Sequence, residues 1–120
     1  MINWTYTKDS NPEKDSKFYD NRVIQYVVQL ENGEYLDHAI FIDGEWYLNF
    51  GAKLLIGVVK WLGKYKTESS SMLPVNDKDR LYLVTREEYG RVIAKYYDDK
   101  WIEDDKAELT NKILGWVGLD

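Results

Sequence analysis

The sequence predicts an α+β domain in which an antiparallel β-meander of four to five strands is covered on one face by two C-terminal helices. Three observations predict it. Between Asn21 and Phe50, Asn32-Gly33 and Asp43-Gly44 interrupt alternating apolar runs, and these dipeptides best tolerate the two positive-φ positions of a type I′ hairpin turn. In the C-terminal third, Tyr89, Val92, Ile93, Tyr96 and Tyr97 recur at helical spacing, as do Leu109, Ile113, Trp116 and Val117, each set forming one apolar stripe. The chain has 120 residues, which suits one domain: a meander half over 1–66, a linker over 67–79, and a strand with two helices over 80–120. No internal repeat is evident along it.

Ile2 to Thr7 reads as a short strand and Lys8 to Asp20 as a polar loop around Asn11-Pro12. With two-residue turns, the meander pairs Leu30 with Tyr35, Val28 with Asp37, Tyr26 with Ala39 and Phe41 with Trp46. Side chains alternate across a strand, so these share a face whose only charge is Asp37. That register also sets Glu31 opposite Glu34, which is unfavourable for like charges, so a longer first loop that shifts the pairing stays open. The opposite face mixes Gln25, His38, Tyr47 and Asn49 with Val27, Ile40 and Ile42. Ile56 to Leu62 reads as a strand returning to the sheet, with Gly51 to Ile56 as a candidate helical turn. The breaker-rich Thr67 to Pro74 follows, then a strand over Arg80 to Val84. Thr85 with Glu88 forms a capping-box pattern for the first helix. The second starts near Asp104 or Asp105 and stops at Gly118. The helices are expected to bury Trp46.

Composition excludes several function classes. Apolar residues make up 44% and aromatic residues 15%, which argues against disorder. A net charge of −5 argues against nucleic-acid binding through bulk electrostatics and favours a partner protein with a basic surface. The chain has no cysteine, which removes disulfides and thiol chemistry and fits a reducing compartment. No run approaches the roughly 20 apolar residues of a membrane span, and the polar N-terminus does not resemble a signal peptide. A cytoplasmic protein without a membrane association is expected, with self-association as a homodimer left open.

No catalytic, metal or cofactor motif stands out, so a non-enzyme without cofactors is expected. His38 is the only histidine, and no nucleophile-elbow motif accompanies it. Asp37 is expected on the opposite sheet face, where it cannot orient the ring. Asp98, Asp99, Glu103, Asp104 and Asp105 surround Lys100-Trp101-Ile102 without the alternating ligands and central glycine of a calcium loop. They read either as a turn whose acids favour a helix N-terminus or as a partner-binding patch with Trp101 as its aromatic anchor. The second site expectation is the mixed face of Gln25, His38, Tyr47 and Asn49. Lys60, Trp61, Lys64, Tyr65 and Lys66 interleave base and aromatic as single-strand binders do, a pattern also found on edge strands that lysine protects from pairing.

Trp4, Asp9 and Pro12, then Tyr26-Val27-Val28, Gly44-Glu45-Trp46-Tyr47 and Val58-Val59-Lys60-Trp61 give residues 4–62 an order that resembles a short domain of unknown function found in tailed phages and prophages. That domain closes on a proline-rich tail, where this chain has Leu62-Gly63-Lys64-Tyr65. The resemblance implies a phage-type accessory protein and assigns no functional residue. Taken with the acidic, aromatic composition, it leads to the expectation of a small binding protein that inhibits or modulates a host protein, for example a defence nuclease such as a CRISPR effector. The alternatives are a small-molecule or nucleotide-signal binder and a toxin-neutralising immunity-type protein.

Overall fold

Asp43 and Gly44 adopt φ of 50° and 83°, so the second predicted turn is a two-residue hairpin loop closed by Ile42 opposite Glu45 and Phe41 opposite Trp46. A computed structural model of the chain describes residues 2–12, 25–48, 52–63, 67–69, 72–88, 90–103 and 107–120. The chain divides into two compact units, Asn3–Lys64 and Met1–Ile2 with Tyr65–Asp120.

The first unit is a six-stranded sheet built from β1 (Thr5–Tyr6), β2 (Tyr26–Leu30), β3 (Tyr35–Ile42), β4 (Glu45–Leu48), β5 (Lys53–Leu55) and β6 (Val58–Leu62). Their spatial order is β1-β6-β2-β3-β4-β5. The Asn32-Gly33 turn is longer than two residues: Leu30 N–H donates to Glu34 O at 2.8 Å, Gly33 N–H to Leu30 O at 2.9 Å and Glu34 N–H to Asn32 Oδ1 at 2.9 Å. Tyr26 faces Ala39 as the alternation predicts, but Val28 faces Leu36. Three steps of β3 therefore span two of β2, a bulge that takes Asp37 out of the apolar row and sets Leu36 in its place. Gly51 to Ile56, a candidate helical turn by sequence, contains β5; Gly51 itself lies outside the described residues.

The second unit is also all strand, with β7 (Glu68–Ser69), β8 (Asp77–Arg86), β9 (Arg91–Tyr97), β10 (Lys100–Glu103), β11 (Ala107–Glu108) and β12 (Ile113–Gly118). This corrects the α+β expectation: among the described residues there is no helix, and the two predicted helices are β9 and β11–β12. Residues 67–79, expected as a linker, hold β7 and the start of β8. The physical reason lies in a degenerate pattern. Val92, Ala94 and Tyr96 are buried and their neighbours are half-buried, so a row with period two underlies the residues that also fit a period of 3.6. Val92, Ile93, Tyr96 and Tyr97 are β-branched or aromatic, types that favour a pleated, half-buried surface. In the second stretch Gly115 opposes helix and is accepted in β12. Thr85, expected as an N-cap, lies in β8 opposite Arg91 and Gly115.

The order in the second sheet, β7-β12-β8-β9-β10-β11, repeats the first sheet strand for strand. The repeat extends to details. Val28 faces Trp61 in one unit and Val84 faces Trp116 in the other, with a register shift close by in both. Glu31 N–H donates to Gly57 O, and Glu87 N–H to Lys112 O. Asp98 and Asp99, at φ of 53° and 59°, close β9–β10 as Asp43-Gly44 closes β3–β4. Each unit has its own core, built on Tyr26, Val28, Ala39, Phe41, Trp46 and Leu55 in the first and on Tyr82, Val84, Val92, Ala94, Tyr96 and Trp101 in the second. The ring geometry is duplicated as well. Tyr26 meets Trp46 at 5.6 Å and Trp61 at 5.5 Å, both edge to face. Tyr82 meets Trp101 and Trp116 at 5.5 Å in the same manner. Trp46 is thus buried by its own sheet, not by helices, and the chain contains the internal repeat that its sequence conceals.

Candidate binding surface

Trp101 follows the Asp98-Asp99 turn on β10, where alternation turns it inward. It is 8% exposed and packs against Tyr82, Tyr96 at 4.9 Å and Trp116 at 6.4 Å. The expectation of an exposed aromatic anchor is therefore corrected: Trp101 is a core residue, the counterpart of Trp46. The duplication accounts for the position, because a tryptophan two residues beyond the turn closes the core in both units.

The acids around it separate. Asp98 and Asp99 are exposed at the turn. Asp99 also braces the neighbouring backbone, since its N–H donates to Asn76 Oδ1 at 3.0 Å and its Oδ1 accepts from Asn76 Nδ2 at 3.1 Å. Glu103 ends β10 half-buried, opposite Ala107. Asp104 and Asp105 lie outside the described residues.

On the alternative face the structure brings Gln25 and His38 together, with Oε1 and Nδ1 3.4 Å apart. His38 Nε2 lies 3.2 Å from Asp37 Oδ2. Asp37 therefore does reach the ring, contrary to the sequence reading, because the β3 bulge breaks the alternation that would have sent these neighbours to opposite faces. Tyr47 donates to Glu45 Oε2 at 3.1 Å, a bond that, with burial and the charges of Glu45 and Asp43, raises its phenol pKa. Asn49 lies outside the described residues. Lys60, from the interleaved basic segment, lies 4.5 Å over the Trp4 ring, an intramolecular cation–π contact; Lys64, Tyr65 and Lys66 are not described.

Sequence reasoning missed the most exposed apolar stretch. Met72, Leu73 and Val75 are 58%, 62% and 84% exposed. They precede β8 on a backbone held at both ends, by the Trp116 indole N–H donating to Met72 O and by the Asn76–Asp99 pair. The available signal was apolar side chains inside a breaker-rich segment, which reads as a linker. Beside this stretch a groove of about 430 Å³ is lined by Met72, Leu73, Arg80, Trp116, Gly118 and Asp120. Arg80 Nε donates to Asp120 Oδ1 at 3.1 Å, a bond that raises the guanidinium pKa above its ordinary value. In the first unit a groove of about 300 Å³ runs over Trp46, with the exposed Leu54 and Ile56 at its rim.

Among the described residues no group of three or more histidines, cysteines or carboxylates is placed to hold a metal ion. Among them too, no helix is long and apolar enough to cross a membrane. The chain matches no family model, and no curated protein or solved structure matches it.

Proposed function

We propose that this chain is a non-enzymatic binding protein that modulates another protein by contact, through the second unit's ledge of Met72, Leu73 and Val75 bordered by Asp98 and Asp99. The observation that carries the reading is the pairing of an exposed apolar segment with an acidic turn on one fixed backbone. Aliphatic side chains this exposed, on a stretch of chain anchored at both ends, bury area against a partner with little further loss of backbone freedom. The carboxylates favour a partner with a basic rim and add association rate more than lifetime. The order of residues 4–62 supports a phage-type accessory setting, in which the partner is a host protein.

The test is affinity capture from host-cell extract at low and moderate salt, using the unaltered chain, Val75→Asp and Asp98→Lys. The expected result is a protein retained by the unaltered chain, lost with Val75→Asp, and captured more slowly by Asp98→Lys in a salt-dependent manner. Equal retention by all three would move the interface elsewhere. Stabilisation by a nucleotide alone in a thermal-shift assay, with no protein captured, would favour a signal-binding protein instead.

A further inference from the structure

Arg80 lies in an irregular part of β8. Asp77 faces Tyr96 and Tyr82 faces Ala94, so five steps of β8 span two of β9 and the intervening residues bulge from the ladder, an arrangement that re-aims side chains. The Arg80 guanidinium lies 5.0 Å from the centre of the Tyr82 ring, with Nη1 3.4 Å from the Tyr82 hydroxyl. Its other edge rests against Gly118, where any Cβ would collide with Nη2. The fork, 43% exposed, thus lies on the Tyr82 ring at the mouth of the groove. Its present partner, the Asp120 carboxylate, is 70% exposed, and an ion pair that open to water is worth little and exchanges cheaply. Met72 and Leu73 give the same groove an apolar wall, and its volume falls in the range of small-ligand sites.

We infer that this groove is a binding site for an aliphatic carboxylate, whose acid group replaces Asp120 on Arg80 and whose hydrocarbon chain lies along Met72, Leu73 and the Trp116 ring. The intramolecular carboxylate on Arg80 identifies the ligand's head group, and a planar fork matches a carboxylate in two parallel bonds where a lysine would act only as a point charge. The groove shares Met72 and Leu73 with the proposed protein contact, but the two are tested apart, the contact by Val75 and Asp98 and the groove by Arg80.

Decanoate is the probe, with decanol as the uncharged control, followed by the NMR signals of the Trp116 indole N–H and the Arg80 Nε–H in the full chain. Decanoate should shift both signals saturably and decanol should bind about three- to fivefold more weakly, the scale of a part-exposed ion pair. Arg80→Gln should weaken decanoate by about three- to fivefold, the scale of a part-exposed ion pair. Gly118→Ala should do the same, because its methyl group takes the place of Nη2 and expels the fork with no change of charge, and its melting temperature should stay unchanged. Asp120→Asn should tighten binding by up to about fivefold, the value of an exposed ion pair removed as competitor. The inference is overturned if decanoate does not bind, if decanol binds equally well, if Arg80→Gln and Gly118→Ala leave binding unchanged, or if Asp120→Asn weakens it.

Discussion

Replacing Trp101 by alanine separates a core residue from a contact residue, and the geometry sets its size. The side chain is 8% exposed and is the hub of three ring contacts, with Tyr82, Tyr96 and Trp116. Removing a buried tryptophan costs about 3–5 kcal/mol when the site cannot collapse around the void, and the edge-to-face contacts place the loss toward the upper end. For a small protein with a urea dependence of about 2 kcal/mol per molar, this lowers the midpoint by roughly 2 M. Trp46→Ala should cost about as much, because Trp46 is 6% exposed and sits on Tyr26 and Phe41 in matching geometry. The two core clusters share no residue, so the losses should add in the double variant. The assay is equilibrium urea unfolding followed by far-ultraviolet circular dichroism. A loss below about 1 kcal/mol for Trp101→Ala, the range of a surface change, would refute both the inward facing of Trp101 and the duplication argument built on it.

Burial raises the pKa of Tyr26, so its proton is held more tightly in the folded chain than in the unfolded chain. Stability is then fully present below about pH 10 and falls as pH rises above it, by at most about 1.4 kcal/mol per pH unit; Tyr26→Phe should flatten that limb in urea melts taken from about pH 9 to 11. Gly44 sits at φ +83°, so Gly44→Val should cost about 1–2 kcal/mol from backbone strain, while Gly63→Ala, with no positive φ and only the Trp61 ring edge nearby, should stay near neutral by the same measurement. Asn76→Ala removes both bonds to Asp99 and should cost about 0.5–1.5 kcal/mol, with amide exchange accelerating at Asp99; unchanged exchange would show that the 72–76 backbone is held by other contacts.

Local sequence chemistry determined the turns and the strands beside them. Asp43-Gly44 required positive φ, and the alternation of Ala39, Phe41 and Trp46 required those residues on one face; both statements are local, and both hold in the fold. The first hairpin was half legible, since Asn32-Gly33 marks a turn but the loop length that moved Asp37 off the core row depends on how β2 and β3 pair. The candidate surface was legible only at Asp98 and Asp99, while Arg80 and Met72 acquired meaning from a bulge and a groove that span distant parts of the chain and Val75 from its exposure on a backbone anchored at both ends.

The C-terminal half was decided by tertiary structure. Val92, Ile93, Tyr96 and Tyr97 fit a helical stripe while Val92, Ala94 and Tyr96 fit one face of a strand, and a strand needs partners that sequence proximity does not reveal, here β8 and β10 on either side of β9. The repeat was hidden for a related reason. Its signal in the sequence is spread thinly: Tyr26 and Val28 recur as Tyr82 and Val84, Ala39, Phe41, Asp43 and Trp46 recur at the same spacing as Ala94, Tyr96, Asp98 and Trp101, and Trp61 and Trp116 each lie 15 residues beyond the last tryptophan of their set. A sheet core requires only that apolar groups of suitable shape recur on one face, and leaves the outward positions free to differ. Residue types at local spacing therefore determined the hairpins of this protein, and the pairing of distant strands determined that the same six-stranded unit is built twice.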